Sequence, residues 1–188
     1  MSKALSGLLV AVVALGATAG LASAQDYGPQ ARDNEIILSF DLQSSDLNAN
    51  AVVGTATNPS FLGGRIEYGS FLNRNHEVGL VFAGRTWDAA DQRVTQTSFT
   101  PFWRYHLRAR DERFTPYMGI HGGGYWFSSN DLGATGDDWS VGFGASIGSK
   151  YWITRSVGLV SELRYDKYSM YGSSVNDLGA SIGFAYKF

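Results

Sequence analysis

The last nine residues of the chain alternate between apolar residues and small or polar ones. Ala180, Ile182, Phe184, Tyr186 and Phe188 share one parity, and Ser181, Gly183, Ala185 and Lys187 share the other. A period of two is typical of a β-strand with two unlike faces. An apolar face that ends in aromatic rings fits a wall with lipid on one side and a packed or polar interior on the other. A soluble edge strand can also alternate, so the rest of the chain must distinguish the two cases.

The other end of the chain predicts export. Lys3 lies in a short positive start, Leu5–Gly16 is mostly apolar, and Ala22 and Ala24 are small residues at a cleavage position. This three-part pattern predicts a secretory signal peptide over residues 1–24. The apolar core is shorter than the roughly 20 residues that a membrane-spanning helix needs. Residues 25–33, which are polar and include a Gly-Pro pair, are expected to be a short leader.

Composition favours an all-β chain and excludes several functions. Aromatic residues make up 14% of the sequence and glycine occurs 23 times, a bias typical of β-structure. There is no cysteine, which excludes lipoprotein acylation, disulfides and thiolate metal sites. Without the signal segment the formal net charge is −3, so no basic patch for nucleic acid is indicated. No metal-ligand spacing or nucleotide motif points to a cofactor.

Alternation along the chain predicts eight strands. We expect them at residues 35–43, 62–72, 77–87, 94–107, 114–127, 139–152, 157–168 and 177–188. Connections predicted to be long (44–60, 88–92, 128–137 and 169–176) alternate with short ones (73–76, 108–113 and 153–156). Short periplasmic turns and longer external loops are typical of outer-membrane barrels. The fold class predicted for residues 34–188 is therefore a closed, eight-stranded, antiparallel, up-and-down transmembrane β-barrel.

The charged residues follow the parity of the strands. If the apolar positions face outward, the opposite parity holds Glu35, Asp41, Arg65, Glu67, Glu77, Arg85, Arg104, Lys150, Glu162, Arg164, Asp166 and Lys187. The outward positions carry no charge before Lys167, which lies beside the last predicted loop. A soluble sandwich would show the same alternation, with its apolar face turned inward and its charged face turned toward water. The signal peptide, the terminal aromatic residue and the alternation of loop lengths favour the membrane barrel.

An eight-stranded barrel has room only for side chains inside, so opposite charges placed there must pair. We expect an interior ionic network of Arg65, Glu67, Arg85, Arg104, Lys150, Glu162 and Arg164. Arg104, Glu162 and Arg164 are expected at its centre. A self-satisfied interior without a continuous pore is favoured over an ion path.

Aromatic residues are expected to form two girdles. Tyr105, Tyr151, Tyr186, Phe188 and Leu72 are assigned to the periplasmic rim, and Trp87, Phe99, Trp126, Trp139 and Tyr165 to the outer rim. Pro101 lies inside the fourth strand, where a missing donor suggests a bulge. For the fifth strand we expect Pro116, Met118 and Ile120 outward, and Tyr117, His121 and Tyr125 inward.

Three segments resemble small eight-stranded outer-membrane barrels of the OmpA/OmpX type. They are the terminal Gly183–Phe188, the strand entry Thr115–Ile120, and Glu162–Tyr165. The resemblance covers about residues 35–188, and it implies an integral outer-membrane protein of a Gram-negative bacterium. It also implies that Phe188, with Phe184 and Tyr186, is an assembly signal read by the barrel assembly machinery after delivery by periplasmic chaperones.

Three functions remain open at this stage. The first is a non-catalytic, monomeric outer-membrane protein that acts in envelope integrity or surface interaction through its external loops, with 44–60 as the leading loop. The second is an enzyme acting on envelope lipid, of the lipid A acyl-chain hydrolase type, which needs a histidine base. His76 is expected in a periplasmic turn, and His106 and His121 are expected inside, so catalysis is not favoured and no catalytic residue is assigned. The third is a narrow channel.

Overall fold

The protein is a closed barrel of eight antiparallel strands arranged in sequence order, with the first strand paired to the last. The computed structural model describes residues 27–45, 60–89, 92–107, 109, 113–129 and 137–188. The strands are β1 Asn34–Ser45, β2 Ser60–Phe71, β3 His76–Ala89, β4 Gln92–His106, β5 Phe114–Ser129, β6 Asp138–Trp152, β7 Val157–Met170 and β8 Ser173–Lys187. The predicted fold class and all eight predicted strands are confirmed. Across the described ranges, no helix has the length and apolar character to cross a membrane.

The hydrogen-bonded register climbs around the barrel. A path from each residue to its paired partner starts at Glu35 in β1 and returns to β1 at Ser45, ten residues further along. A stagger of this kind tilts the strands relative to the barrel axis. Side chains meet inside at heights that depend on this stagger, which parity within one strand does not reveal.

The strand ends form two rims. The terminal rim contains Asn34 and Lys187 together with the connections 72–75, 107–113 and 153–156. The loop rim contains the connections 46–59, 90–91, 130–137 and 171–172. The loop predicted at 44–60 lies almost wholly outside the described residues, as does most of 128–137.

The prediction of long connections is wrong at 88–92 and 169–176. Strands β3 and β4 are joined through residues 90–91 alone, and β7 and β8 through Tyr171 and Gly172 alone. Tyr171 and Gly172 have φ values of 49° and 78°, the positive values that a type I′ hairpin requires. This segment is predicted as a loop because it contains the polar residues Ser173, Ser174 and Asn176. Above the lipid level, however, a strand needs no apolar outward face, so polar residues there do not exclude a strand. The alternation of loop lengths therefore does not support the membrane assignment.

The outer wall of the barrel is apolar over most of its height. Exposed side chains from six strands include Phe40, Ile66, Phe82, Ile120, Val141, Phe143, Ile147, Ile182 and Phe184. Phe40 and Val141 are 68% and 69% exposed, values that are opposite to those of a soluble core. Lys167 is also exposed and lies on this outward parity. The prediction that the in-phase apolar residues face outward is confirmed.

The aromatic positions agree with two girdles in part. Trp126 and Trp139 are paired across β5 and β6 near the loop rim, and Tyr186 and Phe188 stack at the terminal rim with ring centroids 6.0 Å apart. Phe99 is the central residue of β4, so its assignment to the outer rim is wrong. The side chain of Trp87 lies outside the described part of the structure.

The predicted bulge at Pro101 is wrong. The β4–β5 register runs from Phe99–Gly124 to Phe102–His121 with two residues between the pairs on each strand, so no residue is inserted. Pro101 instead pairs with Leu80 on its β3 side. A β-carbon added at Gly123 would overlap the carbonyl oxygen of Phe99 and lie 2.8 Å from the Thr100 Cα. The glycine run of β5 thus lets two backbones approach closely beside the proline.

The facing of β5 agrees with the prediction. Tyr117 and Tyr125 are each 2% exposed and His121 is 8% exposed, whereas Met118 and Ile120 are exposed on the wall. Several inward tyrosines and this histidine lie against inward glycines of β6, and a β-carbon at Gly144 would overlap His121. Alternation of small and large inward residues is a common way to fill a small barrel.

The residues before β1 fold against the terminal rim. Lys187 Nζ donates to the carbonyl oxygens of Tyr27 at 3.2 Å and Gly28 at 2.8 Å, and it lies 3.3 Å from Asp33 Oδ2. The Arg113 guanidinium lies 4.5 Å from the Tyr27 ring centroid. The leader is therefore tied to the last strand and covers part of the barrel mouth.

Candidate functional site

The barrel interior is the candidate site, because it holds the buried charged and polar side chains of the described residues. Two apolar clusters occupy its ends. Ile37, Tyr117, Trp152, Val160 and Ala185 pack near the terminal rim. Val94, Tyr125, Phe127, Tyr168, Met170 and Val175 pack near the loop rim. The buried charged side chains lie among these apolar residues and between the two clusters.

The central cluster is a ring of two arginines and two glutamates. Arg65 lies 2.8 Å from Glu162 and 3.0 Å from Glu67. Arg104 lies 2.6 Å from Glu67 and 2.9 Å from Glu162. The Tyr117 hydroxyl donates to Glu162 Oε2 at 2.9 Å. All four charged residues are buried, and their formal charges cancel, which satisfies the requirement for pairing inside a low-dielectric interior.

A second cluster lies close to the terminal rim. Lys150 Nζ contacts Glu35 and lies 3.1 Å from Glu77 Oε2. His106 Nε2 lies 2.8 Å from the same Glu77 oxygen. Lys150, Glu35 and Glu77 have no exposed surface. One ammonium group therefore bridges two strands through two carboxylates, and His106 orients the second of them.

Two further groups lie toward the loop rim. Asp166 accepts from Arg164 Nε at 2.8 Å and from the Tyr125 hydroxyl at 2.6 Å, and its Oδ1 lies 2.8 Å from His121 Nε2. Asp177 contacts Arg85 and accepts from the Tyr168 hydroxyl at 2.5 Å. Each aspartate is thus held by a guanidinium and a phenol.

One cavity lined by described interior residues is small. A polar cavity of about 30 Å³ lies among Asp41, Arg65, Arg85, Arg164, Asp166 and Asp177. One buried water needs roughly 10–15 Å³ of such volume, so the cavity has room for about two. A hydrated ion path would need a continuous lumen, and the crossed side chains of the central cluster occupy that position.

The structure places the predicted network residues in the interior, where they belong to several separate groups. Arg65, Glu67, Arg104 and Glu162 meet in the central cluster, and Lys150 lies in the terminal-rim cluster. Arg164 forms its ion pair with Asp166 of its own strand, and it adjoins the central cluster, where it lines one cavity together with Arg65.

Sequence reasoning missed Asp177, the partner of Arg85. Asp177 shares the parity of Ser181 and Lys187 and is 1% exposed, so its parity would have identified it as inward. It was overlooked because β8 was expected to begin at that point, directly after a loop. Tyr117, Tyr125 and Tyr168, which donate to the buried carboxylates, are on the inward parity as well.

The remaining site residues lie elsewhere. Phe184, Tyr186 and Phe188 are on the outer wall, 55–60% exposed. Ala22 and Ala24, the expected cleavage residues, lie outside the described residues. His76 is at the terminal rim, where its ring stacks with Trp103 at 5.5 Å. Within the described residues, no group of three histidine, aspartate or glutamate side chains could hold a metal ion.

At the loop rim, the β7–β8 turn is tied to β6. The backbone nitrogen of Tyr171 donates to Asp138. Partial burial and the neighbouring Asp138 carboxylate raise the pKa of the Tyr171 hydroxyl. The contact orders the hairpin tip above the apolar cluster.

An apolar wall, an ionic interior and a closed eight-stranded sheet define the class of small transmembrane β-barrels. Comparison with solved structures agrees. The chain is similar to Neisserial surface protein A (TM-score 0.71, 17% identity), which matches over 82% of this chain and 97% of that one. It is also similar to Ail of Yersinia pestis (TM-score 0.58, 13% identity, 85% and 100% covered). The outer membrane protein OprG of Pseudomonas aeruginosa is a third (TM-score 0.58, 18% identity, 87% and 99% covered).

No protein-family model matches the sequence, and no curated protein matches it significantly. At these identities the structural similarity establishes the fold alone. The chain has the fold of the small eight-stranded outer-membrane barrels.

Proposed function

We propose that this protein is a non-catalytic, monomeric integral protein of the outer membrane of a Gram-negative bacterium. One observation carries the proposal: a closed sheet has its apolar side chains on the outside and its charged side chains paired within. Such a surface is stable against acyl chains and unfavourable against water. The fold neighbours Neisserial surface protein A, Ail and OprG are consistent with this location.

The orientation follows from the rims. The loop rim, which carries the two longest connections, 46–59 and 130–137, faces outward, and the terminal rim faces the periplasm. The protein acts through envelope integrity or through surface contacts of its external connections, chiefly residues 44–60. Loops on a rigid scaffold commonly carry binding. Ail is described as an attachment invasion locus protein, and a surface-contact role for the present chain would be of that kind.

The biogenesis proposal assigns the chain ends. Residues 1–24 are a signal peptide cleaved after Ala24, residues 25–33 are a leader, and residues 34–188 are the barrel domain. Phe184, Tyr186 and Phe188 form the signal for the barrel assembly machinery, after periplasmic chaperones deliver the chain. The supporting observation is that all three side chains lie on the outer wall, where an assembly factor can reach them before closure.

Two other activities have less support. A lipid-modifying enzyme of this type needs a histidine base near lipid, with a serine and an acid beside it. His106 and His121 are buried, and their Nε2 atoms face Glu77 and Asp166. His76 is at the terminal rim, and the described residues that line the groove beside it include no serine and no acid. A channel needs a lumen, whereas the central cluster fills the interior. Steady openings in the nanosiemens range in planar bilayers would contradict the plugged interior, and altered acylation of envelope lipid on expression would contradict the non-catalytic assignment.

The barrel itself is tested by heat-modifiable migration of membrane-extracted protein on a denaturing gel. A closed barrel migrates differently before and after boiling, because detergent alone does not unfold it. A variant lacking residues 46–59 is the matched comparison, since it should keep the shift and lose any surface interaction. Protein that is freely soluble without detergent, or helical by circular dichroism, would contradict the proposal.

A further inference from the structure

The buried cluster at the terminal rim carries more negative than positive formal charge. Its members are Glu35 of β1, Glu77 of β3, His106 of β4 and Lys150 of β6. The Lys150 ammonium contacts both glutamates, and the exposed fraction of all three residues is 0%. If both glutamates were ionised and the imidazole were neutral, the cluster would hold a net charge of −1 out of contact with water.

Cations on the neighbouring strands are committed elsewhere. Arg104 lies 2.6 Å from Glu67 and 2.9 Å from Glu162, the carboxylates of the central ring, whereas its distance to Glu77 is 3.9 Å. Lys187 pairs with Glu35 in the β1–β8 register, but its ammonium is directed to oxygens of the leader and its Asp33 neighbour. The surplus negative charge therefore stays within the cluster.

The groups from β2 and β5 that surround the cluster are uncharged. The rings of Phe71 and Tyr117 lie 5.1 Å and 5.5 Å from Lys150 Nζ, and the Tyr117 hydroxyl donates to the central ring. A β-carbon at Gly69 would overlap Glu77 Oε1, so the β2 backbone closes directly on this carboxylate. An uncompensated ionised carboxylate is very unfavourable in such surroundings, and a group of this kind becomes neutral instead.

The imidazole is a poor position for the neutralising proton. His106 Nε2 lies 2.8 Å from Glu77 Oε2, which the Lys150 ammonium also contacts. Among the described residues, His106 Nδ1 has no hydrogen-bond partner, so an imidazolium would bury a donor without an acceptor. Glu35 Oε2 and Glu77 Oε1 are also buried without a partner from the described residues. A proton on one of these carboxyl groups makes the cluster neutral.

We propose that the Glu35–Glu77 pair holds one proton at neutral pH, and that this proton stabilises the terminal rim. Two carboxylates in one dry site repel each other when both are ionised. Loss of the proton in alkaline solution leaves two negative groups against one ammonium, and the repulsion acts on β1 beside its seam with β8. The rim is therefore held more tightly in neutral than in alkaline solution, wherever in the cell the barrel is placed.

Infrared difference spectroscopy of the mature barrel in phosphatidylcholine vesicles tests for the proton directly, because a carboxylic acid and a carboxylate absorb at separate frequencies. Wild-type protein should show a buried carboxylic acid band at neutral pH that disappears in alkaline solution. Glu35→Gln and Glu77→Gln should each lack the band, since one carboxylate then faces one ammonium. The matched control is Asp33→Asn, which removes a carboxylate at the same rim whose side chain is 25% exposed, and this variant should keep the band.

Urea unfolding in the same vesicles measures the contribution of the proton to stability. A glutamate in the unfolded chain is ionised above about pH 5, so unfolding of the wild type releases one proton that Glu35→Gln does not carry. The unfolding equilibrium constant of the wild type, relative to that of Glu35→Gln, should rise about tenfold per pH unit from there until the folded barrel loses the proton. The stabilisation is therefore lost as the pH rises.

Three results would overturn the proposal. They are the absence of an acid band in the wild type at neutral pH, persistence of the band in either glutamine variant, and equal pH dependence of unfolding in the wild type and Glu35→Gln. Heat-modifiable migration reports separately on the folding of each variant. The wild-type spectrum remains decisive even if a glutamine variant does not fold.

Discussion

The two faces of β7 contrast sharply in how strictly they constrain sequence. Leu159 and Tyr165 are exposed on the wall, where any apolar group of suitable shape meets the same fluid solvent. Glu162 and Asp166 lie one pleat away and are held by named partners at 2.8–2.9 Å. The outer face requires only a type of residue, whereas the inner face requires particular residues at particular heights. Substitutions can measure that difference.

The largest effect is expected inside, for Glu162→Gln. The variant leaves Arg65 and Arg104 with less counter-charge in a buried cluster, and removal of one partner of a buried pair typically costs about 3–5 kcal/mol. Equilibrium urea refolding into lipid vesicles measures the change. Combining it with Arg65→Gln should cost less than the sum of the two single changes. If the destabilisation of the double variant equals the sum of the two single effects, the four charged residues do not act as a unit.

A charge placed on the outer wall should cost slightly less. Phe82 is 57% exposed near the middle of β3, and Phe82→Arg should destabilise the folded barrel by about 2–4 kcal/mol, as expected for a cation near the bilayer midplane. The same refolding assay in vesicles measures it. A cost that is unchanged in detergent micelles of much smaller apolar thickness would contradict the lipid-facing assignment.

A backbone effect should be smaller still. Gly123→Ala adds a methyl group against the Phe99 carbonyl and the Thr100 Cα, and overpacking of this kind costs about 1–3 kcal/mol. Gly84→Ala is the control, because a β-carbon there meets no atom within 4 Å. Destabilisation by Gly84→Ala equal to that by Gly123→Ala would mean that strand propensity, and not the close approach of β4 and β5, explains the glycine.

The smallest effect is expected for Ile66→Leu on the wall. Ile66 is 54% exposed, and exchange of one aliphatic side chain for another of equal volume against lipid should change stability by less than about 1.5 kcal/mol. Refolding midpoints that differ as much as those of Glu162→Gln would refute the contrast between the two faces.

The sequence predicts the faces of the strands better than the partners inside. Alternation identified all eight strands, and parity identified which side chains turn inward, because a one-residue slip would expose every buried charge. The pairing of Arg65 on β2 with Glu162 on β7 could not be predicted in this way. Which charges meet depends on the ten-residue stagger around the barrel, a property of the closed sheet and not of any single strand.

The loop rim was harder to predict than the terminal rim for a related reason. Beyond the lipid level a strand no longer needs an apolar outer face, so Ser173–Asn176 carried no alternating signal. Asp177 was missed with them. The turn at the terminal rim beside Asn73 was predicted correctly because its Asn-rich sequence has a direct physical link to turn formation.

The leader also affects how the sheet stays closed. The β1–β8 seam joins the earliest strand to the last, and Lys187 in that last strand reaches three oxygens contributed by Tyr27, Gly28 and Asp33. Any fluctuation that parts the seam at this rim must also withdraw one ammonium from all three. The segment before β1 therefore stabilises the pairing of β1 with β8 at the terminal rim, where the closed sheet would otherwise open first.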